Sequence, residues 1–334
     1  MLSRHGIRSL CCAAVATAIM GMGAGVSAAD KVKIGFLVKQ AEEPWFQTEW
    51  AFAEKAGKDH GFEVIKIAVP DGEKTLSAID SLAANGAKGF VICPPDVSLG
   101  PSIVAKAKAN DMKVMAVDDR FVDAKGKFME DVPYLGMAAF EVGQKQGAAM
   151  ATEAQNRKWD WKETYAIINT YNELDTGKKR TDGSVDALKK AGLPEDHILF
   201  TPQKTLDVPG SMDATNAALP KLPSGAKNLI VGGMNDNTVL GGVRATAGAG
   251  FAPANVIGIG INGTDAIDEL KKKESGFFGS MLPSPDKEGY NTALQMYEWV
   301  TTGKEPPKYT AMDDVTLITR ANFQDVLTKI GLWK

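Results

Sequence analysis

Residues 33–50, KIGFLVKQAEEPWFQTEW, join a buried strand to the start of an amphipathic helix. The apolar run through Val38 is typical of a strand inside a sheet, and Phe46, Trp50 and Ala53 form the apolar stripe of the helix. Between these two elements the sequence concentrates charge and an indole, at Lys39, Glu42, Glu43 and Trp45. Glu42 is expected to be a solvated neighbour, and the other three to form a functional edge of the sheet.

The same alternation of strand and helix continues along the chain. Strands are predicted at 32–38, 62–69, 88–93, 112–117, 164–169, 197–201, 228–233, 255–261 and 277–282. Helices are predicted at 45–57, 73–85, 98–109, 138–156, 176–191, 209–219, 237–248, 264–273 and 286–302. Apolar strands separated by helices indicate parallel sheets covered on both faces. Because 334 residues favour two domains, we expect an α/β protein of two doubly wound units.

The first 28 residues have the pattern of a secretory signal peptide. Two arginines precede a short apolar run at 10–20, and residues 26–28, VSA, fit a cleavage site after Ala28 or Ala29. No later segment reaches 18 uninterrupted apolar residues, the length expected of a membrane-spanning helix. We therefore expect an exported, soluble protein.

Composition excludes several function classes. Cys11 and Cys12 leave with the signal peptide, so only Cys93 remains, and neither an intrachain disulfide nor a cysteine metal cluster is expected. The signal peptide carries two arginines and no acids, so 38 − 2 = 36 Lys+Arg face 41 Asp+Glu and the net charge is −5. The absence of a basic stripe from the sequence argues against nucleic acid or anionic lipid as the main partner.

Hydrogen-bonding side chains follow several of the predicted strands. They are Lys39, Asp118, Asp119, Arg180, Asn235, Asn262 and Asp265. In open α/β sheets ligands bind beyond the carboxyl ends of the strands. A cleft between two domains, lined by acids, amides, a lysine and an arginine, is suited to recognising hydroxyl groups.

Asp118 and Asp119 admit other interpretations. Acids after a strand often cap the following helix or loop, and paired carboxylates also suggest a glycosidase. Adjacent residues at the end of an extended strand point in opposite directions. The pair is therefore better suited to two separate hydrogen-bond acceptors than to acid–base catalysis.

Apolar candidates near the predicted cleft are harder to assign. Trp45 lies off the apolar stripe of its helix, and we expect an exposed indole that stacks on a ligand. Met137 and Met234 would ordinarily be core residues. Residues 258–263, GIGING, match the dinucleotide-binding pattern, but the glycines fall within a strand and the required acid is missing. We expect close packing of that strand on a helix.

The sequence offers little catalytic machinery. The mature chain has two histidines, His60 and His197, both in predicted helix-to-strand connections away from the cleft. The sequence contains neither a nucleophile elbow nor a metal-binding triad. We predict a protein that is not an enzyme and that uses no cofactor.

Several segments together resemble the periplasmic sugar-binding proteins of ABC importers. They include GFLVKQ, EEPWFQTEW, VDD, NELDT, MNDNTVLGGVRAT, GIGING and MLPSPD, and the similarity extends over about residues 31–330. The resemblance implies a periplasmic protein that closes on one monosaccharide, L-arabinose or a relative such as D-galactose. It also implies delivery to permease subunits, with a monomer expected. A sugar sensor serving a chemoreceptor or a sensor kinase, or a binding protein for another aldose, remains an alternative.

The resemblance also implies roles for individual residues. The polar sugar ligands would be Lys39, Glu43, Asp118, Asp119, Arg180, Asn235 and Asn262. The aromatic platform would be Trp45 and Phe46, and the close wall residues Cys93, Met137 and Met234. Neighbouring positions would be Leu174, Thr176 and Asp265.

Three hinge strands are expected to join the two domains. The resemblance implies an N-terminal lobe of residues 29–137 plus about 285–313. The C-terminal lobe would comprise 138–284 plus about 314–334. A transcription regulator of the same fold is disfavoured by the export signal and by the lack of an N-terminal helix-turn-helix, and an exported sugar enzyme by the missing catalytic groups.

Overall fold

The computed structural model describes residues 31–333, which lie within one compact unit. The strands are β1 (Lys33–Val38), β2 (Glu63–Ala68), β3 (Gly89–Ile92), β4 (Lys113–Val117), β5 (Tyr134–Met137), β6 (Thr164–Thr170), β7 (Ile198–Pro202), β8 (Asn228–Gly232), β9 (Val256–Ile261), β10 (Phe277–Leu282), β11 (Thr310–Met312) and β12 (Thr316–Thr319). The helices are α1 (Pro44–His60), α2 (Gly72–Ala84), α3 (Gly100–Ala109), α4 (Ala139–Asn156), α5 (Asp175–Lys190), α6 (Val208–Ala218), α7 (Asp236–Gly248), α8 (Ile267–Leu270), α9 (Thr292–Thr302) and α10 (Phe323–Lys329). The predicted signal peptide lies outside the described residues.

The strands form two six-stranded sheets. The first has the order β11-β5-β4-β3-β1-β2 and is parallel throughout. The second has the order β12-β10-β9-β8-β6-β7, and its pairs are parallel except for the antiparallel edge strand β12. The predicted fold class, α/β with two doubly wound sheets, is confirmed.

The chain crosses from one sheet to the other three times, and each crossing is here called a passage. The first passage follows β5, where α4 begins, and the second follows β10, after which α9 packs on β1, β3 and β4. The third connects β11 to β12. The first and third passages run side by side, since β5 pairs with β11 and the Ala138 amide donates to the Met312 carbonyl over 2.7 Å.

Some predicted elements differ from the observed ones. The predicted helix at 264–273 is reduced to the short α8, because Asn262 and Gly263 adopt positive φ angles of 114° and 83° and form a turn first. The predicted helix at 286–302 begins as a π-helical segment, Lys287–Asn291, before α9. β5, β11 and β12 were not predicted, because each has only three or four residues and lies where the chain changes sheet.

Both faces of each sheet are covered by apolar side chains. Phe36 of β1 is fully buried beneath α1 and α9, and Phe90 of β3 is fully buried on the opposite face. The glycines of β9 allow the close approach that was expected there. A Cβ on Gly258 would lie 2.5 Å from Val243 Cγ2, and one on Gly260 would lie 2.0 Å from Asp236 Oδ1, both on α7.

Among the helices of residues 31–333, none is long and apolar enough to cross a membrane.

Candidate functional site

A cavity lies at the carboxyl ends of the strands, between the two sheets. Twelve of the fifteen predicted site residues line it: Lys39, Glu43, Trp45, Phe46, Asp118, Asp119, Leu174, Thr176, Arg180, Met234, Asn235 and Asn262. Gln40 and Leu206 also line it and were not predicted. The topology therefore collects side chains from many separate segments at one place.

The part of the cavity contributed by the first sheet, here called the first wall, carries most of the charge. Lys39 follows β1, and its Nζ donates to Asp119 Oδ2 over 2.5 Å at the end of β4. Burial alone would lower the pKa of Lys39, but the Asp119 carboxylate beside it raises that pKa above the ordinary value. Burial would likewise raise the pKa of Asp119, but Lys39 holds it below its usual range. Both groups are therefore ionised at neutral pH.

Asp118 contributes a second carboxylate to the first wall. Its φ angle is 59°, in the left-handed region, and the Tyr134 hydroxyl donates to its carbonyl over 2.8 Å. Asp118 and Asp119 both line the same cavity but have different neighbours: Asp119 accepts from Lys39 and Thr176, whereas Oδ2 of Asp118 lies beside Glu49 and Glu288. The chain has left the extended conformation at this residue, and strand alternation no longer applies.

Glu43 is the third acid of the first wall and precedes α1. Its Oε1 accepts hydrogen bonds from Gln40 Nε2 at 2.9 Å and from Asn237 Nδ2 at 3.3 Å. Burial, reinforced by the charge of Asp265, raises the pKa of Glu43 to about 7, although Lys39 acts in the opposite direction. The charge of this side chain therefore changes close to neutral pH.

Trp45 has two roles in the structure. Its side chain lines the cavity, yet it is only 3% exposed and belongs to the apolar cluster beneath α1. The expectation of an exposed indole is therefore wrong, because the second sheet covers this end of α1. The Trp45 backbone amide faces the carboxylate of Asp265, in the loop after β9, and acts against the burial that raises the pKa of Asp265.

The part contributed by the second sheet, here called the second wall, combines polar side chains with the apolar side chains of Leu174, Leu206 and Met234. Arg180 of α5 is its charged member, and its Nη1 donates to the Met234 carbonyl over 3.0 Å. Asn235 is the N-cap of α7, and its Oδ1 accepts from the Thr238 amide at 3.0 Å. This capping bond uses the side-chain oxygen, so the amide nitrogen of Asn235 is the donor available to a ligand.

Buried polar groups hold the strand ends of the second wall in place. Gln146 Nε2 donates to the carbonyls of Gly233 and Ile259, at 3.0 and 2.7 Å. Asp236 accepts from the Gly263 amide at 2.9 Å and from Ser280 Oγ at 2.5 Å. These bonds fix the turn that carries Asn262.

Hydrogen bonds also join the two walls directly. Thr176 Oγ1, on the second wall, donates to Asp119 Oδ1 over 2.7 Å. Asn237 Nδ2 donates to Glu43 Oε1, as described above. Together with the contact between Asp265 and Trp45, these bonds connect both ends of the cavity across the gap between the sheets.

Three predicted residues do not line this cavity. Cys93 is fully buried behind it, with Sγ 3.8 Å from Asp119 Oδ2, and burial raises the pKa of its thiol. Met137 lines a neighbouring cavity that shares Asp119, Leu174 and Thr176 with the first. Asp265 lies one turn away and accepts from Asn262 Nδ2 at 3.5 Å.

The residues that the sequence analysis missed differ in how visible they were. Gln40 adjoins Lys39, and Asn237 lies in the same MNDN segment as Asn235, so both stood within recognised stretches. Leu206 follows β7 in a polar loop, where no pattern marks it. Only its packing against the cavity identifies it.

A family model, sequence relatives and solved structures all match this chain to periplasmic binding proteins. The family model described as "Periplasmic binding proteins and sugar binding domain of LacI family" matches residues 31–326. The L-arabinose-binding periplasmic protein of Escherichia coli (strain K12) is 59% identical over 321 residues, covering 95% of this chain and 97% of the relative. An ABC transporter L-arabinose-binding periplasmic protein of Azospirillum brasilense is 43% identical and covers 99% of each chain.

Solved structures show the same fold at lower identity. A periplasmic solute-binding protein of an ABC transporter from Actinobacillus succinogenes 130z, with bound D-allose, superimposes with a TM-score of 0.72 at 20% identity. The match covers 88% of this chain and 100% of that one.

Proposed function

This chain belongs to the family of periplasmic binding proteins and LacI-type sugar-binding domains, and from that premise we propose that it binds L-arabinose and delivers it to an ABC-type sugar permease. The single observation that carries the proposal is the 59% identity to an L-arabinose-binding protein over almost the whole of both chains. The family is one of binding proteins, and the chain is not an enzyme.

The first wall is suited to accepting hydrogen bonds from sugar hydroxyls. Asp118, Asp119 and Glu43 present carboxylate oxygens, and hydrogen bonds to an ionised acceptor are roughly twice as strong as neutral ones. Because Lys39 keeps Asp119 ionised, that acceptor needs no change of protonation when a sugar arrives. Lys39 adds a donor at the same place.

The second wall supplies donors and groups that both donate and accept. The planar guanidinium of Arg180 can hold a hydroxyl and a ring oxygen together. The amides of Asn235 and Asn262 can satisfy hydroxyls from the other side. Trp45 and Phe46 cover the C–H face of the sugar and exclude water from it.

These groups are sufficient for tight binding of a small sugar. A pentose has about ten heavy atoms, and the best small ligands gain about −1.5 kcal/mol per atom. Micromolar affinity requires only about −8 kcal/mol. An epimer would leave a buried polar group unpaired, which costs about 1–3 kcal/mol, so the same groups also supply specificity.

The proposed mode of action is closure of two lobes about three connecting passages. The lobes are residues 29–137 plus about 285–313 and residues 138–284 plus about 314–334, and each carries one wall. A sugar bound to both walls favours the closed arrangement by its differential affinity for it. We infer that the permease recognises that arrangement, and that residues 1–28 direct the chain to the periplasm.

The neighbouring cavity bears on the choice between L-arabinose and D-galactose. These sugars share a ring hydroxyl pattern, and galactose adds a hydroxymethyl group at C5. Met137 borders the neighbouring cavity together with Asp119 and Thr176. We propose that Met137 influences which of the two sugars is preferred.

The direct test is calorimetric titration of the purified mature protein with a panel of monosaccharides, paired with tryptophan fluorescence. We expect saturable binding of L-arabinose at a stoichiometry of one and no consumption of sugar. Asp119→Asn should weaken this binding, and its matched control, Asp213→Asn, at an exposed site that does not line the cavity, should not. Binding of neither L-arabinose nor D-galactose would refute the proposal, and sugar turnover proportional to protein would refute a pure binding role.

A further inference from the structure

Three acidic side chains meet behind the first wall. They are Glu49 of α1, Asp118 after β4 and Glu288 of the π-helical segment, and they offer oxygens that all lie within 4.8 Å of one another. Glu49 and Glu288 are fully buried and Asp118 is 9% exposed. No hydrogen-bond donor among residues 31–333 reaches either oxygen of the two glutamates or Oδ2 of Asp118.

Three adjacent buried carboxylates cannot all be ionised, because like charges at this distance repel strongly in a medium of low dielectric. Burial, and then the charge of Asp118, raise the pKa values of Glu49 and Glu288 well above the ordinary range. The two glutamates also lie within hydrogen-bonding reach of Asp118. A proton on each glutamate supplies the donors that the cluster otherwise lacks.

No neighbouring cation in the described part of the chain supplies the hydrogen-bond donors that the three carboxylates lack. The titratable groups that face the cluster from neighbouring elements are Lys39, Cys93, Asp119, Tyr134 and Arg180. Lys39 is paired with Asp119. Arg180 acts on Glu288 through its charge but donates its Nη1 to the Met234 carbonyl.

Asp118 connects the cluster to the cavity. Its side chain lines the cavity while Oδ2 is buried without a partner, so Oδ1 is the oxygen that remains for a ligand. We propose that Glu49 and Glu288 are neutral carboxylic acids that donate hydrogen bonds within this cluster to Asp118 Oδ2 and so position Oδ1 to accept a sugar hydroxyl. This inference rests on the proposed function and adds two positioning residues to it.

The backbone holds both glutamates in place. A Cβ on Gly289 would lie 2.3 Å from the Glu49 carbonyl oxygen, so the π-helical segment packs directly on α1. Thr292 Oγ1 donates to the Glu288 carbonyl at 2.5 Å. The cluster therefore joins α1, the end of β4 and the second passage between the sheets.

The test compares substitutions that keep or remove the donor. Glu49→Gln and Glu288→Gln retain an N–H donor without a titratable proton, and Glu49→Met and Glu288→Met remove the donor at similar volume. We expect L-arabinose affinity to change by less than about threefold in the glutamine variants and to fall at least tenfold in the methionine variants. If the methionine variants do not fold, the pH dependence of affinity and the infrared spectra of the glutamine variants test the positioning role instead.

Two further readouts separate positioning from a merely structural role. The pKa of each glutamate is raised, so the neutral form is present at low and neutral pH and is lost as pH rises through the shifted value. Wild-type affinity should therefore fall at alkaline pH, and the Glu49→Gln/Glu288→Gln double variant should lack that fall. Infrared spectra at neutral pH should show stronger carbonyl absorption of protonated carboxylic acids in the wild type than in the double variant, because Glu43, with a pKa of about 7, contributes equally to both.

The outcomes distinguish this inference from the proposed function. If the wild type binds sugar but its protonated-carboxyl absorption equals that of the double variant, the inference is refuted and the function stands. A stoichiometric metal, found by elemental analysis and removed by chelator with loss of affinity, would refute it in favour of a cation among the three carboxylates. If no sugar binds, the proposed function fails and takes the positioning role with it, and the infrared band then tests protonation alone.

Discussion

The two walls of the cavity achieve polarity in different ways. The first wall carries Lys39 and Asp119 as a buried ion pair, with Glu43 and Asp118 as further acids. The second wall presents mostly neutral groups whose orientation is fixed by backbone bonds, as in the capping box of Asn235. A buried charge is stable only beside its partner of opposite charge, whereas a neutral polar group needs only a backbone that holds its orientation. The walls should therefore respond differently to substitution.

The largest effect is expected from breaking the ion pair of the first wall. Asp119→Ala removes an acceptor and leaves Lys39 buried without its partner, and such a truncation costs about 2–5 kcal/mol in binding. L-arabinose affinity should fall at least thirtyfold by calorimetry, and the free energy of unfolding in urea should fall by about 3 kcal/mol. Asp213→Asn should change neither quantity. A loss of less than threefold would show that the first wall does not depend on this pair.

The next largest effect is expected from the charged member of the second wall. Arg180→Ala removes charge-assisted bonds worth about 1.5–3 kcal/mol, so affinity should fall at least tenfold by calorimetry. Lys329→Ala, at an exposed helix end, is the control. Because Arg180 pairs with a carbonyl and not with an acid in the second wall, stability should fall less than in Asp119→Ala. Equal losses of stability would show that the two walls do not differ in their dependence on a charged partner.

A smaller effect is expected from the neutral amides. Asn262→Ala removes one amide from the second wall, at about 1 kcal/mol for a neutral hydrogen bond, so affinity should fall about fivefold. Asn235→Ala should show a similar loss of affinity and a lower midpoint of thermal unfolding, because it also removes the cap of α7. Asn235→Ser should restore the midpoint without restoring affinity, because serine can also cap a helix but has no amide.

The smallest effect is expected from pH at Glu43. Its raised pKa of about 7 means that the carboxylate is lost as pH falls through that value. Gln40 and Asn237 both donate to the ionised form, and sugar hydroxyls would do the same. Affinity should therefore rise about threefold between pH 6.5 and pH 7.5, in step with the ionised fraction of Glu43. Glu43→Gln should flatten this limb alone, while the alkaline limb assigned to Glu49 and Glu288 remains. A flat wild-type profile in this interval would show that Glu43 does not titrate there.

The sequence was most informative where topology alone brings residues together. Parallel strands end at one edge, so the polar residues after β1, β4 and β9 could be placed in one cleft without coordinates. The sequence was less informative where local conformation departs from the rule, as at Asp118 with its positive φ, or where a second layer covers a residue, as at Trp45. Glu49 and Glu288 lie far apart in the chain, and no spacing or period relates them, so only the folded structure shows their contact.

The pairing of β5 with β11 has a mechanical consequence. Two of the three passages between the sheets are hydrogen bonded to each other up to the point where they leave the first sheet, at Met137 and Met312. Sliding one passage along the other would break their hydrogen bonds, whereas bending both together would keep them. For the proposed closure, this pairing is expected to reduce the relative motion of the two walls toward a single angle. A partner protein could then distinguish the empty from the occupied cavity by the opening angle alone. It would not need to recognise a change of shape within either lobe.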